Sequence, residues 1–229
     1  MIGSRLPPRV AFFDVDETLL AAKSMVEFLR SWLGHDDAAF RATVAQLGAV
    51  AEREGRAAAN RAYYRLFAGV SSTALAEAGG RWYARHRRRP DAFVGATATA
   101  LAGHRAAGDL VVLVSGSCHA VLDPLAADVG GDEVLCTELV VAAGRLTGEV
   151  ARSMIGPAKS EAAAGLLRGL GACPADCFAY GDHASDLDLL TAVGNPRVVG
   201  DDPVLAAWAG RHGWPVLPAQ ARPRPVLRA

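Results

Sequence analysis

The chain has 229 residues, is 51% hydrophobic, and carries 24 basic and 24 acidic side chains, so its formal net charge is zero. That balance argues against a disordered polyelectrolyte and against a basic stripe for nucleic acid, and the length suffices for one buried core with an insertion. Of the basic residues 22 are arginine, and only Lys23 and Lys159 are lysine, so each lysine points to a place where a compact ammonium serves better than a planar guanidinium.

The segment MIGSRLPPRV has no apolar signal core, and no run of 18 apolar residues occurs, so neither export nor a membrane span is expected. Cys118, Cys136, Cys173 and Cys177 lack the paired spacing of a zinc site and read as reduced, mostly buried thiols of a cytoplasmic protein.

Taken in order, Val10-Ala-Phe-Phe13 is a run of strand formers that ends in Asp14-Val-Asp-Glu-Thr18, so a buried strand empties onto carboxylates. From Ser24 to about Arg89, Met25, Phe28, Leu29 and Trp32 recur at helical spacing, and Tyr63, Tyr64, Leu66 and Phe67 follow in an Ala- and Arg-rich stretch. Breaks at Gly34-His-Asp36, Glu54-Gly-Arg56, Gly69-Val-Ser-Ser72 and Arg89-Pro-Asp91 predict about four helices, a small bundle. The run Arg85-His-Arg-Arg-Arg89 is expected at the solvated end of the last one, and one of Tyr63 and Tyr64 is expected to face a cleft.

After Pro90 a helix over about 92–107, a strand over 110–114, Ser115-Gly-Ser117 and another helix alternate, which predicts a parallel sheet. Leu139-Val-Val141 and Arg145-Leu-Thr147 flank Ala143-Gly144 as a hairpin. Lys159 opens a helix reaching about Leu170, and Phe178-Ala-Tyr180 is a strand leading into Gly181-Asp182 and a helix through Leu190. The tail, with prolines at 215, 218, 223 and 225, is expected to be a poorly ordered arm. The predicted fold class is α/β, a doubly wound parallel sheet with an inserted helical-bundle cap: core 1–21 and 92–217, cap 22–91, disordered tail 218–229.

Three strands thus end in polar signatures: Asp14 and Asp16, then Ser115 and Gly116, then Asp182 and Asp186. In a doubly wound sheet such ends converge on one crevice. Four carboxylates, a hydroxyl and a lysine need a counter-charge, and oxygen ligation suits Mg2+ better than zinc, with a phosphate completing the site.

The four strings Asp14-Val-Asp-Glu-Thr18, Ser115, Lys159 and Gly181-Asp182-His-Ala-Ser-Asp186 resemble, in order and spacing, the four motifs of the haloacid dehalogenase (HAD) superfamily. The helical insertion and the segment Leu139–Val150 are similar to the phosphoserine-phosphatase-like branch. The resemblance implies a Rossmann-like core and a Mg2+-dependent phosphatase. Asp14 would be the nucleophile, forming an aspartyl-phosphate, and Asp16 the general acid and base. Ser115, Gly116 and Lys159 would hold the phosphate. The Asp14 and Asp182 carboxylates and the Asp16 carbonyl would hold the metal, with Asp186 orienting them.

The substrate implied is a small soluble phosphate ester, with neither nucleic acid nor membrane as partner. A homodimer stays an open option. Where phosphoserine phosphatases carry a glutamate that reads the substrate ammonium, this chain has Lys23, which disfavours phosphoserine and points to a second anionic or oxygen-rich group on the substrate. Arg61, Tyr64, Arg65 and His183 are further candidate specificity residues. Two alternatives are transfer of the phosphoryl group to another alcohol and a non-enzymatic receiver module; in a receiver the acceptor Asp would end the third strand and no helical insertion would follow.

Overall fold

A computed structural model of the chain describes residues 7–34 and 36–223. Its centre is a sheet of six parallel strands in the order β4-β3-β1-β7-β8-β9: Glu133–Cys136 (β4), Leu110–Ser115 (β3), Val10–Asp14 (β1), Phe178–Gly181 (β7), Asn195–Val199 (β8) and Val216–Leu217 (β9). Every residue of β1 is buried because helices cover both faces, as the unbroken apolar run requires. One apolar cluster joins Phe13 of β1 and Leu113 of β3 to Leu101 of Gly95–Ala107 (α5) and Leu122 of His119–Val129 (α6); the other joins Phe12 and Val112 to Pro157–Leu170 (α7), Leu187–Thr191 (α8) and Pro203–His212 (α9).

The insertion consists of four helices, Ser24–Trp32 (α1), Asp37–Glu54 (α2), Arg56–Arg65 (α3) and Ser72–His86 (α4). Asp36 and Ser71 cap α2 and α4 through their side chains, and Gly55, at φ 86°, turns the chain between α2 and α3. The chain leaves the core and returns to it side by side: Ala21 N–H donates to Ala92 O at 3.1 Å, and Val94 N–H to Leu19 O at 3.0 Å. His86 is not on a solvated helix end as expected. It is 3% exposed and stacks on Trp82 at 5.1 Å, because α4 turns this position inward while Arg85 stays outside.

Glu138–Ala142 (β5) and Arg145–Arg152 (β6) form the hairpin. Its two-residue loop holds both Ala143 (φ 48°) and Gly144 (φ 76°) in the left-handed region, as the right-handed strand twist demands of so short a connection. The hairpin leans on the cap, with Gly69 N–H donating to Leu146 O at 2.7 Å and Leu146 N–H to Val70 O at 2.8 Å.

The tail differs from expectation. Beyond Pro215, β9 extends the sheet, and Ala221–Arg222 (β10) pairs antiparallel with Phe93–Val94 (β2). Pro215, Pro218 and Pro223 lack ladder donors, so they limit these pairings to two residues each without preventing them. Residues 224–229, with Pro225, lie outside the described residues. Cys118, Cys136 and Cys177 are buried free thiols, and Cys173 is exposed. Among the described residues no helix is long and apolar enough to cross a membrane.

Candidate active site

The strand register brings the polar ends level. Asp14 lies opposite Val114, one residue before Ser115, and Phe13 lies opposite Tyr180, so Asp182 emerges just past the end of β1. Lys159, in the first turn of α7, points into the same crevice. Its Nζ lies 2.5 Å from Asp14 Oδ1 and 2.5 Å from Asp186 Oδ1, with all three side chains at most 7% exposed.

Oxygens of Asp14, Asp182 and Asp186 lie within 4.8 Å of one another. Burial holds the Asp14 carboxyl well above the usual carboxylate range, against the pull of Lys159 and with help from Asp186 and Asp182. Burial likewise pushes Asp182 up to about 6, although Thr18 Oγ1 donates to its Oδ1 at 2.7 Å. Burial works against the Lys159 ammonium, yet the charges of Asp14 and Asp186 outweigh it and hold its pKa above that of an ordinary lysine. One ammonium thus faces three crowded carboxylates. The surplus negative charge and the all-oxygen donor set fit a hard divalent cation such as Mg2+.

The loop after β1 is compact. Leu19 and Leu20 both donate to Val15 O, and Glu17 takes a left-handed φ of 62°. Asp16 accepts the Ser24 N–H at 2.9 Å, which ties it to the start of α1 and so to the cap. Its carboxyl is raised by burial and lowered in part by the Ser24 bonds.

Asp14, Asp16, Glu17, Lys159, Asp182 and Asp186 line a cavity of about 260 Å³ together with Ser115 and Gly116. Lys23, Arg56, Met25 and Ile155 line its cap side, with His183 and Ser185 from the loop after β7. Lys23 is exposed and pairs with Glu17 at 3.2 Å. A more open groove of about 800 Å³ runs between α1 and α4, but its arginines are engaged by Asp37, Glu27 and Ser31 and it holds none of the strand-end residues.

Arg61 and Arg65 do not line the cavity; both are exposed. Arg56, Asn60 and Tyr64 recur every four residues on one stripe of α3, and that stripe faces the core; positions 61 and 65 are rotated away by about 100°. Tyr63 and Tyr64 are both buried rather than one facing an open cleft: Tyr63 donates to Met25 O at 2.9 Å and Tyr64 to Gly116 O at 3.2 Å. His183 sits at the mouth, where its Nδ1 accepts the Ser185 N–H at 3.0 Å and lies 2.7 Å from Arg56 Nη1. Burial and the Arg56 charge depress its pKa. Arg56 and Asn60 were missed from sequence, although counting back from Tyr64 in fours would have reached both.

Fold and site together define a parallel α/β protein with a helical cap and a buried carboxylate and lysine centre at the strand ends. The pattern of the haloacid dehalogenase-like hydrolase family matches residues 11–191, and the chain belongs to that family. The "Inhibition of morphological differentiation protein" of Streptomyces azureus is 33% identical over 223 residues, 93% of this chain and 79% of that protein. A Mycobacterium tuberculosis protein described as a "probable phosphatase" is 38% identical over 117 residues, 51% of this chain and 41% of its own length. Among solved structures, a Bordetella pertussis protein of unknown function is similar with a TM-score of 0.79 and 28% identity, over 93% of this chain and 99% of that one. A substrate-bound phosphoserine phosphatase has a TM-score of 0.68 at 19% identity, over 93% and 94% of the two chains, and so shares the fold.

Proposed function

We propose that the protein is a Mg2+-dependent phosphomonoesterase that hydrolyses a small phosphorylated metabolite through an aspartyl-phosphate on Asp14. The observation that carries this reading is the buried Lys159 ammonium set between Asp14 and Asp186 at the strand ends. A cation buried beside a nucleophilic carboxylate is positioned to receive the anionic oxygens of a phosphoryl group.

An Asp14 oxygen attacks phosphorus as the ester P–O bond breaks, and Asp16 gives its proton to the departing alkoxide. Ser24 N–H donates to Asp16 Oδ1 at 2.9 Å and so fixes the orientation of this carboxyl. Asp16 then takes a proton from the water that attacks phosphorus, which releases inorganic phosphate and restores Asp14. Lys159, Ser115 and the backbone at Gly116 hold the phosphoryl oxygens, and Asp186 holds Lys159. Asp14, Asp182 and the Asp16 carbonyl would hold Mg2+, which when bound offsets the charge gathered between carboxylates and phosphate.

Lys23 and Arg56 give the cap side of the cavity two cations, and this favours a substrate with a second anionic group beyond the ester. The cavity volume suits a small metabolite. Steady turnover of p-nitrophenyl phosphate with Mg2+, abolished in Asp14→Asn, supports the reading; no turnover with any ester of a broad phosphate panel overturns it. Lys23→Glu should shift the panel profile away from dianionic substrates, and an unchanged profile removes Lys23 from specificity.

A further inference from the structure

The Gly116 carbonyl, in the middle of the turn after β3, accepts three hydrogen bonds from buried side chains. Asn60 Nδ2 donates at 2.8 Å, Thr137 Oγ1 at 2.8 Å and Tyr64 Oη at 3.2 Å. A carbonyl oxygen has two lone pairs, so three donors saturate it. Two of them, Asn60 and Tyr64, come from the cap helix α3.

Asn60 is 4% exposed and is itself held at both ends, because its Oδ1 accepts from Ser153 Oγ at 2.8 Å. Thr137 Oγ1 accepts the Met154 N–H at 3.2 Å, and of the two acceptors within reach of its one proton the Gly116 carbonyl, at 2.8 Å, is nearer than Asn60 Oδ1, at 3.3 Å. Elsewhere in the turn Ser117 N–H donates to Ser115 Oγ at 3.0 Å, and Thr137 N–H to Ser117 O at 2.9 Å. A Cβ at Gly116 would meet Ile155 Cδ1 at 2.4 Å and Asn60 Nδ2 at 3.5 Å, so Ile155 packs directly against this glycine. This peptide therefore has one close-packed seat, and the cap supplies most of what orients it.

We propose that Asn60 is a positioning residue, supported by Tyr64: from the cap it clamps the Gly116 carbonyl and so sets the phosphate-binding turn, which is fully formed only while α3 is seated. The three donors draw the carbonyl's negative charge away from the place where phosphoryl oxygens sit. Seating the cap and organising the phosphate site are then one event. This rests on the phosphatase reading for its consequence in turnover, but the clamp can be measured without it.

The experiment compares the wild type with Asn60→Ala, Tyr64→Phe, Thr137→Val and Thr137→Ser. In Asn60→Ala and Thr137→Val, kcat/KM on p-nitrophenyl phosphate and inhibition by inorganic phosphate should weaken together by about tenfold, with a smaller loss in Tyr64→Phe. Thr137→Ser, which keeps the hydroxyl, should stay within about twofold of wild type, and the Mg2+-induced thermal shift should be unchanged throughout. Wild-type values for both kcat/KM and phosphate inhibition in Asn60→Ala overturn the proposal; if that variant does not fold, the Thr137 pair and Tyr64→Phe decide by the same criteria. Amide exchange over residues 115–118 should also quicken in Asn60→Ala and Thr137→Val, and unchanged exchange refutes the clamp. If the wild type hydrolyses no phosphate ester, the functional reading fails and the exchange measurement still judges the clamp.

Discussion

Lys159 Nζ lies 2.5 Å from Asp14 Oδ1, and neither side chain is more than 7% exposed. The pair sits between the end of β1 and the first turn of α7, so a single charge links Asp14 to the helix that follows the hairpin.

Removing that charge leaves Asp14 and Asp186 buried without their cation. Lys159→Met is expected to lower turnover by about 10²–10³-fold and the metal-free stability by about 3–5 kcal/mol. Lys159→Arg should restore little activity, because a guanidinium fork does not fit the point between two carboxylate oxygens. Kinetics and denaturant unfolding of the two variants check both statements.

Thr18 is fully buried and donates to Asp182 Oδ1 at 2.7 Å. If Asp182 holds Mg2+, Thr18→Val should weaken the metal by about 10–100-fold while Thr18→Ser keeps it. Mg2+ at about 100 times its dissociation constant should stabilise the wild type by about 2.7 kcal/mol, and a chelator should remove that gain. Thermal shift against Mg2+ concentration reads all three.

His86 Nε2 lies 3.2 Å from Ala92 O, and its Nδ1 is a buried atom with no hydrogen-bond partner among the described residues. Burial depresses its pKa below 6.5, with Arg89 adding to the effect and the Ala92 bond opposing it. A base whose folded pKa lies below its unfolded value binds fewer protons when folded. Its contribution is complete above pH 6.5 and is lost as pH falls through that value toward the folded pKa. The stability difference between wild type and His86→Phe should therefore be flat above about pH 7 and shrink toward pH 5. A difference that does not change with pH refutes this.

Ala143 holds φ 48° in the hairpin loop, where a Cβ crowds the backbone. Ala143→Asn should stabilise the protein by about 1 kcal/mol, or about 2–4 °C in Tm, without altering turnover. Calorimetry beside an activity assay tests it.

The main strands and the cap helices were legible because their signals are local. Val10–Phe13 is apolar throughout, Gly55 and Gly69 break helices wherever they fold, and Asp14 directly follows its strand. Glu133–Cys136, Asn195–Val199 and Pro203–His212 went unread, since short strands beside charged residues and a proline-led helix carry little periodicity of their own. The tail was misread because proline content reports only missing donors, whereas the edges offered by β8 and β2 accept two-residue pairings.

What the sequence by itself determined is the set of strand-end residues and their order along the chain: Asp14, Asp16, Ser115, Lys159, Asp182 and Asp186 each stand beside a strand or helix start that local patterning reveals. What only the tertiary structure decided is which cap residues meet them. The facing stripe of α3 depends on how the helix is rotated against the core, and a rotation of about 100° separates Arg56, Asn60 and Tyr64 from Arg61 and Arg65. Helix rotation follows from packing between segments distant in sequence, where Tyr64 and Asn60 find the Gly116 carbonyl more than 50 residues away, and no local pattern encodes that meeting. The two lysines divide the same way: Lys159 is positioned by the strand-end crevice itself, while Lys23 takes its place at the cavity's mouth from the fold of the loop that carries Glu17.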